Sequence, residues 1–383
     1  MRIAQVAPLA ESVPPQLYGG TERVVSWLTE ALVQHGHQVT LFATGDSITS
    51  ARLVRSVPEG LRLGGIRDHT ASLLVMLDAV RHQATDFDII HFHVDLLQFP
   101  MFRKASDRCL TTLHGRLDLI DFHPVYQTFR TMPLVSISAS QRTPLPTANW
   151  LATIHHGLPP EREPSDTPER HYLAFLGRIA PEKRPDRAIE IAKRTGVPLK
   201  IAAKVDRADQ EYFEHVIQPQ LDHPLIEFIG EIGDHEKRGF LGNALALLFP
   251  IDWPEPFGLV MIEAMREGTP TIAWRTGSVP EVIDDGVTGY IVGSIEEAVT
   301  AVSKVLSLDR KTVRQRFEER FTVTRMAQDY VAAYQRVLDW PALTMPRERP
   351  FAASGSAGAV AVVLPGPLVE DEPGLAGMSQ VPV

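Results

Sequence analysis

The 383 residues are enough for two domains of ordinary size, and 44% apolar content is normal for packed globular cores. Lys and Arg number 38 against 47 acids, a net charge of −9, which excludes nucleic acid as the main partner because neutralising its phosphates takes clustered basic side chains. One cysteine, Cys109, excludes an intramolecular disulfide and fits a reducing compartment, and no apolar run approaches a membrane span.

The N-terminal MRIAQVAPLAE has too short an apolar segment for a signal peptide, so a soluble, cytoplasmic protein is expected, without membrane association. Residues 1–8 read as a strand and residues 21–35 as a helix with Thr21 as N-cap. Val24, Val25, Leu28, Ala31 and Leu32 line one face, and Gly36 precedes a second strand over 37–42. Gly19 and Gly20 stand where the helix N–H groups are unpaired, open to a phosphate or a polar acceptor. An apolar helical segment near 72–80 leads to FDIIHFH (87–93), a strand with His91 and His93 on one face by period-two alternation. Ligands of open α/β sheets gather outside the carboxyl ends of strands, which makes His93 and Asp95 candidates for an acceptor cleft. Asp86 and Asp88 form a D-x-D pattern at the opposite end of that strand, and no third ligand is spaced to join the histidines around a metal.

Residues 109–113 give another strand, which ends in His114-Gly115. A histidine there can donate to a sugar hydroxyl or to developing charge. Residues 134–138 and 150–157 close this half, and the Pro-rich, charged LPPEREPSDTPERH (158–171) reads as a linker. Residues 172–179 open a second strand–loop–helix series. In its GRIAPEK loop, Arg178 and Lys183 suit a diphosphate, the guanidinium through directed bonds and the ammonium as a point charge. PLKIAAK, IEFIGEI and ALALLFP continue the β–α alternation. EPFGLVMIEAM follows as loop then helix. Free N–H groups at Phe257, Gly258 and Leu259 favour an anion there, with Glu255 and Glu263 framing the cradle. Residues 294–307 and 312–338 read as closing helices, and the Pro-, Gly- and Ala-rich 341–383 as a disordered tail.

The two glutamates with seven residues between them, followed by GTPTIAW and GSVPEVIDDGVTGYIV, resemble the E-x7-E signature of the retaining glycosyltransferases of family 4. The resemblance spans roughly 1–340 and implies the GT-B fold: two Rossmann-like parallel-sheet α/β domains that face an interdomain cleft. It assigns 1–160, with a crossover helix 325–340, to the acceptor side and 161–324 to the donor side. The activity it implies is metal-independent hexosyl transfer from a nucleotide-sugar donor, UDP-sugar favoured, to an unidentified hydroxyl acceptor, with no cofactor. His114, Glu255, Arg178 and Lys183 would serve catalysis; Gly20, Phe257, Gly258, Leu259 and Glu263 would bind donor; Gly19, His93 and Asp95 would lie on the acceptor side. A GT-B nucleotide-binding protein without transfer activity, or a sugar phosphorylase, are the alternatives.

Overall fold

A computed structural model describes residues 1–16, 19–160 and 170–339. Its first sheet contains β1 (Arg2–Val6), β2 (Gln38–Thr44), β3 (Arg52–Val57), β4 (Ile89–Phe92), β5 (Cys109–Thr112), β6 (Leu134–Ser136) and β7 (Trp150–Thr153), in the order β3-β2-β1-β4-β5-β6-β7. The second contains β8 (Tyr172–Ile179), β9 (Leu199–Val205), β10 (Ile226–Gly230), β11 (Ala244–Phe249), β12 (Thr271–Trp274) and β13 (Gly289–Val292), in the order β10-β9-β8-β11-β12-β13. All pairings within both sheets are parallel, from Ile3 opposite Val39 and Ile89 to Ala273 opposite Ile291. Each sheet grows outward from its first strand in one direction and then reverses, which is the doubly wound Rossmann pattern.

The longer helices are α1 (Gly20–Gln34), α2 (Thr70–His82), α3 (Pro185–Thr195), α4 (Asp234–Gly242), α5 (Leu259–Arg266), α6 (Ile295–Lys304), α7 (Arg310–Arg320) and α8 (Val323–Leu338). Parallel strands are covered on both faces, and the alternation of side chains divides the cores accordingly. Ala4, Ile90 and Phe92 pack with Met76, Leu77 and Val80 of α2, while Ile3 and Ile89 pack on the opposite face with α1 and α8. In the second half Leu173 and Phe175 meet Ile189 and Ala192 of α3, and Ala174 between them meets Phe240 of α4 and Ala264 of α5. Each fully buried side chain of this size contributes about 1.5–3 kcal/mol relative to exposure. A further cluster joins Ile137 and Leu158 of the first half to Phe249, Phe257 and Met261 of the second.

Local structure departs from the sequence reading at several places. Arg178 belongs to β8 rather than to the loop after it. Thr21 is not an N-cap: α1 begins at Gly20 behind Gly19, and no side chain among the described residues caps it. RLVRSV, which shows no full burial, forms the edge strand β3. The strand over 87–93 is shorter, so His93 lies just past β4 rather than in it. Residues 312–338 do not form one helix. Buried Phe321 ends α7, and the Thr322 side chain accepts from the Arg325 N–H to start α8. At that break Leu158 N–H donates to Phe321 O and Val323 N–H donates to Leu158 O, each at 2.8 Å, which turns α8 back onto the first sheet. There Met326, Ala327, Tyr330, Ala333, Tyr334 and Val337 repeat at helical spacing against Ile3, Val24 and Leu28. The linker reading falls largely on 161–169, and the tail reading on 341–383, both outside the described residues. No helix among the described residues is long and apolar enough to cross a membrane.

Candidate active site

Strand order reverses between β1 and β4 and again between β8 and β11, and a crevice forms at such a point beyond the carboxyl ends of the strands. A cavity of about 420 Å³ lies there. Gly19, Gly20 and His114 line it from the first half, and Arg178, Lys183, Glu255, Phe257, Gly258, Leu259 and Glu263 from the second. Arg178 at the end of β8, Lys183 in the turn after it and the amide-rich start of α5 therefore share one space.

The helix start is built by Gly258, the N-cap of α5, at φ 80°. That left-handed backbone suits glycine, and a Cβ would lie 2.9 Å from Met261 Cε and 3.0 Å from Phe249 Cζ. No side chain among the described residues caps α5, so its first N–H groups stay available beside the cavity. Buried Phe257 anchors the loop. Its ring meets His156 edge-on at 4.9 Å, and its carbonyl accepts from the Ser278 hydroxyl at 2.7 Å.

Charges around the cavity are matched. Lys183 forms an ion pair with Glu255 and lies 4.9 Å from the centroid of the Trp253 ring, whose Nε1–H donates to the same carboxylate at 3.0 Å. Arg178 donates to Asp209 at 2.7 Å and to Glu182 at 2.5 Å. Glu263 accepts from Lys237 at 3.4 Å, and Arg23 of α1 pairs with Asp234 of α4 across the cleft. A second tie between the halves is Glu281, which accepts from the N–H groups of Ala139 at 2.7 Å and Ser140 at 2.8 Å, with His155 Nε2 at 3.3 Å. Burial works to raise the Glu281 carboxyl, yet these bonds hold it below its ordinary value. Burial pushes Glu22, on the cavity wall, upward, and pushes His114 down to about 3.

His93 and Asp95 do not line the cavity. His93 lies one layer behind it, 2% exposed, with Nδ1 2.9 Å from His114 Nε2 and Nε2 2.8 Å from Gln5 Oε1. Asp95 is exposed at φ 57°, and its carbonyl accepts from Gln98. Among the described residues no group of three His, Cys, Asp or Glu side chains could hold a metal ion. The sequence reading missed His156, Glu22, Arg23, Arg62, Lys204 and Lys237, all on the cavity wall. A signal existed for His156: like His114, it directly precedes a glycine shortly after a strand, and the two rings stack at 5.4 Å and 16°.

Residues 18–162 match the model of Glycosyltransferase Family 4, and residues 160–321 that of Glycosyl transferases group 1. The phosphatidyl-myo-inositol mannosyltransferase of Mycobacterium leprae is 24% identical over 348 residues, 83% of this chain and 90% of that protein. An uncharacterised 41.2 kDa protein in the cps region of Klebsiella pneumoniae is 27% identical over 174 residues, 44% of this chain, and the chain spans 47% of its length. Among solved structures, Anabaena HepE in complex with UDP and glucose superposes with a TM-score of 0.67 at 17% identity, covering 88% of this chain and 99% of that one. That likeness carries the fold: the two parallel-sheet halves are the two domains of GT-B.

Proposed function

From the premise that the chain is a family 4-like glycosyltransferase of GT-B fold, we propose that it moves a hexosyl group from a nucleotide sugar to a hydroxyl acceptor, with retention at the anomeric carbon. The observation that carries this reading is the shared cavity, which Arg178, Lys183 and the N-terminal residues of α5 line together, as one bound diphosphate would need. Arg178 and Lys183 stabilise the departing β-phosphate as the bond from the sugar C1 breaks. The acceptor oxygen attacks from the same face and its proton passes to the leaving phosphate oxygen, so no metal is called for. One well-placed charge-stabilising group is worth about 2.7–4 kcal/mol of barrier. Glu255, paired with Lys183 while the site is free, exchanges that partner for sugar hydroxyls when the phosphate takes the ammonium. Glu263, more than a turn into α5, suits the ribose hydroxyls. A UDP-sugar is the favoured donor, in keeping with the UDP and glucose held by the Anabaena neighbour.

Thermal-shift screening of UDP-, GDP- and ADP-hexoses, then analysis of the product anomer by NMR with the best donor, tests the proposal. A stabilising donor and an anomer of unchanged configuration are expected. Nucleotide binding with no transfer to any sugar, lipid or polyol acceptor would reduce the protein to a nucleotide binder, and phosphate-dependent release of sugar phosphate would make it a phosphorylase.

A further inference from the structure

Behind His114 runs a chain of hydrogen-bonded groups that reaches from the cavity to α8. Gln5 and His91 are fully buried, His93 is 2% exposed, and Tyr334 is fully buried. Gln5 Nε2 donates to the Tyr334 hydroxyl at 3.0 Å. The hydroxyl then has its own proton for His91 Nδ1, 2.8 Å away, and His91 Nε2–H donates to Thr112 Oγ1 at 2.7 Å. On its other side Gln5 presents Oε1, which can only accept, so His93 gives it Nε2–H at 2.8 Å. Burial pushes His93 well below its ordinary value, and a neutral ring carries one proton. Its Nδ1 is therefore bare and accepts Nε2–H of His114 at 2.9 Å.

We infer that this chain fixes His114 in the Nε2–H form and turns a bare Nδ1 toward the cavity, as a hydrogen-bond acceptor for a hydroxyl of the transferred hexose. Gln5, His93 and Tyr334 are positioning residues, since each acts through the next and none of them lines the cavity. Tyr334 comes from α8, so the return of that helix onto the first sheet has a consequence at the site beyond packing. An imidazole nitrogen without a proton discriminates among donors: it takes a hydroxyl and offers nothing to a fluorine or hydrogen at the same carbon. The identity of the contacted group as a hexose hydroxyl rests on the transferase reading, whereas the tautomer does not.

The test uses the full chain labelled with 15N-histidine, without any ligand, near neutral pH. Imidazole nitrogen shifts are assigned to His114 by their loss in His114→Gln. A protonated Nε2 and a bare Nδ1 are expected, and the opposite tautomer would overturn the inference. Gln5→Leu removes the acceptor of His93 Nε2–H. A tautomeric mixture at His114 is expected, with kcat down about fivefold and donor KM within about twofold, the scale of one lost hydrogen bond. Tyr334→Phe frees the Gln5 amide to turn over and gives the same spectral readout should the first variant not fold. An unchanged His114 spectrum in either folded variant contradicts the chain. Because the tautomer is read in the free protein, absence of sugar transfer would sink the proposed function without touching this result.

Discussion

Replacing His156 with glutamine should make the protein less sensitive to acid, by an amount that follows from where the ring sits. It is 3% exposed, stacked on His114 and edge-on to Phe257, and its Nδ1 has no hydrogen-bond partner among the described residues. Burial, helped by the neighbouring His114, Arg325 and His155, pushes its pKa well below the ordinary value. The unfolded chain titrates near 6.5, so below that pH the unfolded state binds a proton that the native state refuses, and stability falls with pH. From pH 7 to pH 5 the loss from one such histidine is about 2 kcal/mol. Glutamine carries no titrating group. The variant should therefore gain about 2 kcal/mol on the parent over that interval, whatever the substitution costs at pH 7 through the lost stacking. Urea denaturation of both proteins at the two pH values, at constant ionic strength and followed by tryptophan fluorescence, measures the difference. A gain under about 0.5 kcal/mol would mean that His156 is protonated in the folded protein and would refute the reasoning.

Three further outcomes bear on the site itself. Arg178→Ala and Lys183→Ala should each lower kcat by roughly 100-fold, and losses under about threefold in both would remove them from leaving-group stabilisation. Calorimetry with UDP should find weaker binding for Glu263→Ala while saturating turnover is largely kept, and near-normal binding with impaired turnover for Glu255→Ala; the reversed pattern contradicts the division of labour. Gly277 has φ 54°, and a Cβ on it would lie 2.5 Å from both the N and the O of Glu255. Gly277→Ala should therefore displace the Glu255 loop and lower kcat on the order of tenfold or more with UDP affinity unchanged, and unimpaired turnover would show that the position of Glu255 is not critical.

Much of the site was legible in the sequence because its signals are local. EPFGLVMIE announces a loop that enters a helix, and the free amides at that helix start, beside the cavity, follow from the backbone alone. Arg178 and Lys183 are close in the chain, and the apolar run of β8 puts both at a carboxyl edge, Arg178 within the end of the strand and Lys183 in the turn after it. His93 shows the limit of such reasoning. Alternation correctly gave it the face it shares with His91, yet depth from the cavity depends on what stacks in front, and His114, just past the next strand, does.

The order of β–α units, the apolar strands buried on both faces and the amide-rich start of α5 are dictated by residues close together in the chain, so the amino-acid string alone determined the two-sheet architecture and that helix start. Tertiary structure decided what distant segments do to one another. It brought His156 flat against His114, set Arg23 on Asp234, split the closing helix at Phe321 and delivered Tyr334 to a hydrogen-bonded chain that ends at the cavity. The physical reason is that strand faces and helix starts arise from repeats of two and 3.6 residues, whereas stacking, ion pairing and tautomer choice depend on distances in space that no such repeat encodes.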